Sequence, residues 1–273
     1  MNQSSFQVQR PDGLLLRGDF HGPDEGVPVV LIHGLGFTRR KWSSQIEALL
    51  EKGFRTITWD LRGFGESDLP EAPYSMADLV GDLEAIREMA GLERFHLVGH
   101  SFGGMVALSY AVAHAERLNS IALLSTAGHN GRRASKLARA LTLMSQVGAE
   151  KALADPEMRA EVDEIVESVS KYTGPILEVL RRVAAEPDPA RAFAWQATGG
   201  YSVRERLGSL DLPSMVMHGS RDELMPYVAG FLLAQALPNC QWHSLDEAPH
   251  NLPTERSAEV NAALLSFLDE VAA

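Results

Sequence analysis

The segment that most constrains the fold of this chain is Gly99-His100-Ser101-Phe102-Gly103. It follows the apolar run 95–98, which is typical of a buried β-strand, and it precedes a run with helical spacing. Glycines two positions before and after a serine allow a tight turn between strand and helix, and this turn pushes the hydroxyl out of the sheet. The segment therefore predicts a nucleophilic Ser101; the alternative is a loop serine beside flexible glycines.

Strand-like and helix-like runs alternate along most of the chain, which predicts a mainly parallel sheet flanked by helices. The predicted strands are 14–20, 27–32, 55–59, 95–98, 121–125, 214–218 and 240–245, of which the first is expected to be antiparallel. The predicted helices are 42–51, 76–90, 102–113, 228–236 and 258–270.

One long stretch, 127–207, interrupts this alternation, because it contains helical patterns and no evident strand. Its segments 135–147 and 160–170 have helical spacing, and prolines near 175 and 187–189 separate the helices. A connection of roughly 80 residues is too long for a compact domain. We therefore expect a core domain formed by 1–126 and 208–273, and an inserted helical domain at 127–207.

The loop His33-Gly34-Leu35-Gly36-Phe37 follows the predicted strand 27–32. Acyl transfer forms a negatively charged oxygen that needs preorganised N–H donors. We expect one donor to be the backbone N–H of Phe102 and the other that of Leu35, with His33 holding the loop by hydrogen bonds. A nucleotide-binding Gly-x-Gly-x-x-Gly pattern is excluded, because Arg39 stands where its last glycine would be.

A serine nucleophile needs a base, and the base needs an acid that fixes its tautomer. Asp222 lies just beyond the predicted strand 214–218, with Glu223 as the alternative acid; Asp246 and Glu247 lie too close in sequence to the histidine. His250 follows the last predicted strand and completes the order serine, aspartate, histidine.

Three of the other histidines lie near these elements without fitting the role of base. The side chain of His100 is expected to point away from the Ser101 hydroxyl. His218 and His243 lie within predicted strands and are expected in the core or among the residues that surround the site.

Charge and composition exclude several classes of function. The formal net charge is −11 and the isoelectric point about 5.3, which argues against nucleic acid and anionic lipid as partners. We see no signal peptide and no apolar run near 18 residues, so we expect a cytoplasmic protein without a membrane span. Cys240 is the only cysteine, which precludes an intramolecular disulfide, and it is expected to be a buried thiol. No metal-ligand spacing is present, and we expect no cofactor.

Together these motifs resemble the α/β-hydrolase superfamily over nearly the whole chain. The segment 59–68, Trp-Asp-Leu-Arg-Gly-Phe-Gly-Glu-Ser-Asp, also resembles the loop after its fourth strand. The resemblance implies a sheet of about eight strands and a helical cap, inserted after the sixth strand, that lies over the active site. It extends to capped esterases, enol-lactonases and carbon–carbon bond hydrolases. Epoxide hydrolases and haloalkane dehalogenases use an aspartate nucleophile and are excluded by Ser101.

The function expected from these residues is hydrolysis of a small or medium uncharged carboxylic ester, or a lactone, through an acyl-enzyme. The alternatives are an enol-lactonase, a carbon–carbon bond hydrolase of ring-cleavage products, and a ligand receptor built on a hydrolase scaffold. A carboxylate substrate would call for an arginine such as Arg181 or Arg191. The residues expected to bind the substrate are Gly36, Phe37, Leu143, Trp195 and Leu224.

Overall fold

The computed structural model of the chain describes residues 3–130 and 188–272, together with 154, 156, 157, 159 and 160. Within this part, eight strands form one sheet in the order β1-β2-β4-β3-β5-β6-β7-β8. The strands are β1 Gln3–Gln9, β2 Leu15–His21, β3 Pro28–Ile32, β4 Arg55–Trp59, β5 Phe95–His100, β6 Leu118–Leu124, β7 Ser214–Gly219 and β8 Cys240–Leu245. β2 pairs antiparallel with both β1 and β4. All the other neighbouring strands, from β4 through β3 and β5 to β8, pair in parallel. The predicted fold class, a mainly parallel α/β-hydrolase sheet, is confirmed.

The central strands are buried on both faces, as their continuous apolar runs predict. Helices α1 (Ser43–Glu51) and α8 (Ser257–Ala272) cover one face through Leu49 and Phe267. The other described helices are α2 Met76–Met89, α3 Phe102–His114, α4 Pro189–Ala197, α5 Arg204–Leu207, α6 Tyr227–Ala236 and α7 Leu252–Glu255. Short 3-10 helices lie at Arg39–Trp42 and Ala115–Arg117.

One strand was missed in the sequence, because β1 carries only a weak signal. It is an edge strand in which only Phe6 and Val8 are buried, so its apolar alternation is limited to two side chains. Helix α1 begins at Ser43, later than predicted, since Arg39–Trp42 forms the 3-10 turn that precedes it.

The described residues fall into two compact units. The first lies within Met1–Leu69, Ala77–Gly128 and Val203–Ala273 and contains the whole sheet. The second lies within Pro70–Met76 and His129–Ser202; in it the Tyr74 and Phe193 rings meet edge to face, and Asp188 caps α4 through the Arg191 N–H.

Several sequence predictions concern features that these residues do not test. The predicted helices 135–147 and 160–170 lie, apart from Ala160, outside the described residues. The domain boundaries 1–126, 127–207 and 208–273 and the cytoplasmic location stay predictions. Within the described part of the chain, no helix has the length and apolar character needed to cross a membrane.

Candidate active site

Ser101 occupies a strained turn between β5 and α3. Its backbone has φ 54° and ψ −118°, a conformation that residues with a side chain rarely adopt. Backbone hydrogen bonds hold it there: its N–H donates to the Leu124 carbonyl at 2.9 Å, and its carbonyl accepts from the Gly104 and Met105 N–H groups. The Thr126 hydroxyl also donates to this carbonyl, at 2.8 Å. The predicted turn is therefore present, and it is fixed from β6 as well as from α3.

The two glycines of the motif are required by close backbone packing. A Cβ on Gly99 would lie 2.5 Å from the Gly103 carbonyl oxygen, and a Cβ on Gly103 would overlap the carbonyl of Ile32 and lie 2.5 Å from that of His33. Helix α3 can approach β3 and β5 this closely only because neither position carries a Cβ atom.

A continuous hydrogen-bonded chain joins Ser101, His250 and Asp222. The Ser101 Oγ lies 2.8 Å from His250 Nε2, and His250 Nδ1 lies 2.7 Å from Asp222 Oδ2. The three residues follow β5, β8 and β7, parallel strands whose carboxyl ends lie at the same edge of the sheet, with β6 between β5 and β7. The structure thus assembles the three side chains that the sequence singled out.

Asp222 is buried and fully hydrogen-bonded. Its Oδ1 accepts from the N–H groups of Leu224 (3.0 Å) and Met225 (2.8 Å), and its Oδ2 faces both His250 and His218 (3.1 Å). Burial alone would raise the pKa of Asp222, but the hydrogen bonds from the two histidines hold it well below its ordinary value. Asp222 is therefore ionised and fixed in orientation.

The alternative acids lie elsewhere. Glu223 is exposed. Glu247 pairs with Arg221 at 2.5 Å, and Asp246 accepts a hydrogen bond from Ser220 at 3.1 Å. Of the four carboxylates considered, only Asp222 contacts His250.

The loop after β3 lies directly against the strained turn. A Cβ on Gly34 would lie 3.3 Å from the Ser101 Cβ and 2.8 Å from His100 Nδ1. The N–H groups of Leu35 and Phe102 have no acceptor among the described residues.

His33 braces this loop from beneath. It is fully buried, its Nδ1 lies 2.8 Å from the Gly34 carbonyl, and its Nε2 accepts from the Leu61 N–H at 2.9 Å. Because Nδ1 faces a carbonyl oxygen and Nε2 accepts from an N–H group, the single ring proton of His33 resides on Nδ1. Burial lowers the pKa of His33 to about 4. The hydrogen bonds expected of His33 from the sequence are present.

The segment after β4 braces the same loop through buried ion pairs. Asp60 Oδ1 accepts from the Arg39 N–H at 2.7 Å, and its Oδ2 accepts from the Glu66 N–H at 2.9 Å and from the Arg39 guanidinium. Arg39 also donates to Asp19 and Glu66. This arginine therefore ties the segment after β3 to strand β2 and to the segment after β4.

Two contacts of this site, made by His100 and Lys41, were not predicted from the sequence. His100 is fully buried, and its Nε2 donates to the His250 carbonyl at 3.0 Å, so it positions the loop that carries the base. Lys41 donates from Nζ to Asn251 Oδ1, and burial lowers the pKa of Lys41 to about 7, against an opposing effect of Glu255. No spacing in the sequence signals either contact, since both depend on how the loops fold over the strand ends.

The residues expected to bind the substrate lie in different parts of the structure. Phe37 lies edge-on to His100, with ring centroids 6.2 Å apart, while Gly36 and Leu224 are exposed. Trp195 lies on α4 in the second unit, and Leu143 lies outside the described residues. The described residues bring together no cluster of three or more metal-ligating side chains.

Comparisons with known proteins agree with this geometry. The profile of the alpha/beta hydrolase fold family matches residues 27–256. A protein of Variovorax paradoxus strain S110, which bears the name of an inferred carbamate hydrolase, RutD, is 31% identical over 269 residues, covering 94% of this chain and 97% of its own.

Solved structures give the same result. A thermophilic esterase from Thermogutta terrifontis is 25% identical, with a TM-score of 0.75 and 99% of both chains covered. The enol-lactonase from Burkholderia xenovorans LB400 is 25% identical, with a TM-score of 0.71, 94% of this chain and 97% of its own covered. The matched region contains the strained serine turn and the strand ends that carry Asp222 and His250, and the chain belongs to the alpha/beta hydrolase fold family.

Proposed function

We propose that this protein is a serine hydrolase that cleaves a carboxylic ester of small to medium acyl size through an acyl-enzyme. The single observation that carries the proposal is the hydrogen-bonded chain from Ser101 Oγ through His250 to Asp222, with distances of 2.8 and 2.7 Å. The first distance lies in the range for a hydrogen bond across which a proton is transferred, and the second in the range for the bond that orients the base.

Asp222 prepares the base for the first step. Because it is ionised and faces Nδ1 of His250, the ring proton of neutral His250 resides on Nδ1 and the lone pair of Nε2 faces Ser101. Nε2 takes the hydroxyl proton as Oγ attacks the ester carbonyl carbon. The carbonyl oxygen then carries the negative charge, and the N–H groups of Leu35 and Phe102 are the proposed donors to it.

Three further proton transfers complete the cycle. His250 returns the proton to the leaving alkoxide as the carbon–oxygen bond of the ester breaks, which leaves the acyl group on Ser101. A water molecule then gives a proton to His250 Nε2 and attacks the acyl carbonyl. His250 passes that proton to Ser101 Oγ as the bond between the acyl carbon and Oγ breaks, which releases the acid and restores Ser101. Asp222 stabilises the imidazolium in both half-reactions.

An enol-lactone is the second candidate substrate, supported by the similarity to the Burkholderia enol-lactonase. The same steps apply to it, except that acid and leaving group stay in one molecule. A carbamate, suggested by the Variovorax relative, would form a carbamoyl-enzyme by the same attack. The carbon–carbon alternative is supported by the similarity to a 2-hydroxymuconate semialdehyde hydrolase of Pseudomonas sp. strain CF600, which is 26% identical over 261 residues. Of the two arginines considered for its carboxylate substrate, Arg191 pairs with Asp188 at 3.1 Å and Arg181 lies outside the described residues.

The test is a substrate panel of nitrophenyl acetate, butyrate and octanoate, an enol-lactone, a phenyl carbamate and a dienoate ring-cleavage product. We expect turnover of the short esters, and labelling of the wild type by a fluorophosphonate at Ser101 but not of Ser101→Ala. Turnover of the dienoate alone would replace the ester assignment. Absence of both turnover and labelling, with a ligand-induced shift in melting temperature, would favour the receptor.

A further inference from the structure

A second histidine contacts the triad acid from behind. His218 is a wholly buried residue of β7, and its Nε2 lies 3.1 Å from Asp222 Oδ2 and 2.9 Å from the Met225 carbonyl. Asp222 Oδ2 is also the oxygen that faces His250 Nδ1 at 2.7 Å. The same carboxylate oxygen therefore contacts both imidazole rings.

The surroundings of His218 determine which of its nitrogens carries the proton. Its Nε2 faces two oxygen acceptors, whereas its Nδ1 has no hydrogen-bond partner in the described part of the chain. Helix α6 packs so closely on the ring that a Cβ on Gly230 would overlap Nδ1. An N–H at Nδ1 would be buried without an acceptor, which is costly, so the tautomer of His218 that fits this site carries its proton on Nε2.

We propose that His218 is a positioning residue: its Nε2–H, shared between the Met225 carbonyl and Asp222 Oδ2, helps to fix the carboxylate and partly offsets the negative charge that Asp222 presents to His250. The inference rests on the proposed function, because it concerns how the base of that reaction is tuned. Leu224 and Met225 hold the other carboxylate oxygen, so without His218 the carboxylate would still be anchored through Oδ1.

Loss of the His218 donor has an effect with a definite sign. The negative charge of Asp222 Oδ2 would no longer be offset by the His218 N–H, so it would stabilise the imidazolium of His250 more strongly. The acid limb of the pH–rate profile would therefore move to higher pH. The other groups that face His250 do not change: Ser101 contacts Nε2, the His100 ring lies with its centroid 5.0 Å away, and Lys41 binds the adjacent Asn251.

The experiment compares His218→Phe with His218→Gln, which keeps an N–H donor. The matched control is His96→Phe, which removes another buried strand histidine, one that hydrogen-bonds Ser120 at 2.7 Å. The readout is the pH dependence of fluorophosphonate labelling at Ser101 and of kcat/KM for nitrophenyl acetate. We expect an upward shift of the acid limb, by up to about one pH unit, in His218→Phe, and profiles close to wild type in the other two variants.

The outcomes separate this inference from the proposed function. Wild-type protein that is neither labelled nor active would overturn the proposed function. Wild-type labelling with the same acid limb in His218→Phe would overturn only the role of His218.

A measurement on the wild type covers the case in which His218→Phe does not fold. Nitrogen-15 NMR of the imidazole rings, assigned by the loss of signals in His218→Gln, should show the proton of His218 on Nε2. A proton on Nδ1 would contradict the inference.

Discussion

The Nζ atom of Lys41 lies 3.7 Å from the centroid of the Phe37 ring, so the amino group of this half-buried lysine packs on the loop after β3. It also binds Asn251, the residue after His250. One lysine thus joins the loop that offers the proposed oxyanion donors to the loop that carries the proposed base. The arrangement combines a cation–π contact with the cost of removing an ammonium group from water.

Lys41→Met should change the pH dependence of stability. Burial lowers the pKa of Lys41 to about 7, whereas an unfolded chain keeps its lysines protonated to about 10.4. Between these values the unfolded state binds the extra proton, so this residue makes the wild type more stable as the pH rises, and its destabilising effect is complete below pH 7. The free energy of unfolding of the wild type, relative to Lys41→Met, should therefore increase from pH 6.5 to pH 9.

Urea unfolding at both pH values measures this difference. The exposed Lys52, replaced by methionine, gives a control with the same change in charge. If the free energies of unfolding of the wild type and Lys41→Met changed with pH in parallel, burial would not lower the pKa of Lys41.

Replacement of Ser101 should separate activity from stability. Ser101→Ala should lower kcat by on the order of 10⁶, since the nucleophile is lost. Ser101→Gly should be equally inactive, yet more stable than Ser101→Ala by about 1 kcal/mol, because glycine tolerates φ 54° and ψ −118° with little strain. Thermal unfolding of the two variants, beside nitrophenyl acetate kinetics, checks both parts; an alanine variant at least as stable as the glycine variant would argue against strain at this turn.

The sequence predicts those parts of the site that depend on local patterns. Gly99 and Gly103 surround Ser101 within one turn, and Asp222 and His250 each follow a strand-like run, so strand order alone brings them together. The contacts of His218 with Asp222 and of Lys41 with Asn251 could not be predicted in this way. The contact of His218 with Asp222 depends on the path of the β7–α6 loop, and that of Lys41 on the conformation of a long side chain, and neither is encoded by spacing.

Asp222→Asn should lower kcat by up to ~10⁴, because an amide cannot stabilise the imidazolium and favours the wrong tautomer of His250. The hydrogen bonds from His218 and His250 hold the pKa of Asp222 well below its ordinary value, so the loss should be the same from pH 6 to pH 8. The matched control is Glu223→Gln, whose side chain is exposed. Steady-state kinetics in which Glu223→Gln has the larger effect would reassign the acid.

Two buried histidines should make the protein acid-labile. Burial lowers the pKa of both His33 and His96 to about 4, whereas an unfolded histidine titrates at about 6.5. Between these values the unfolded state binds more protons, so the stability provided by the neutral rings is complete above pH 6.5 and is lost as the pH falls toward 4. The expected loss is up to about 1.4 kcal/mol per pH unit for each histidine.

His96→Gln should remove one of these two contributions while keeping a hydrogen-bonding group beside Ser120. The slope of unfolding free energy against pH, measured in urea between pH 4.5 and 6.5, should therefore be smaller in His96→Gln than in the wild type. His114→Gln, at a half-exposed position on α3, should keep the wild-type slope. A wild-type slope in His96→Gln would mean that the His96 ring already binds its proton in the folded state, and that the Ser120 contact, rather than burial, governs its titration.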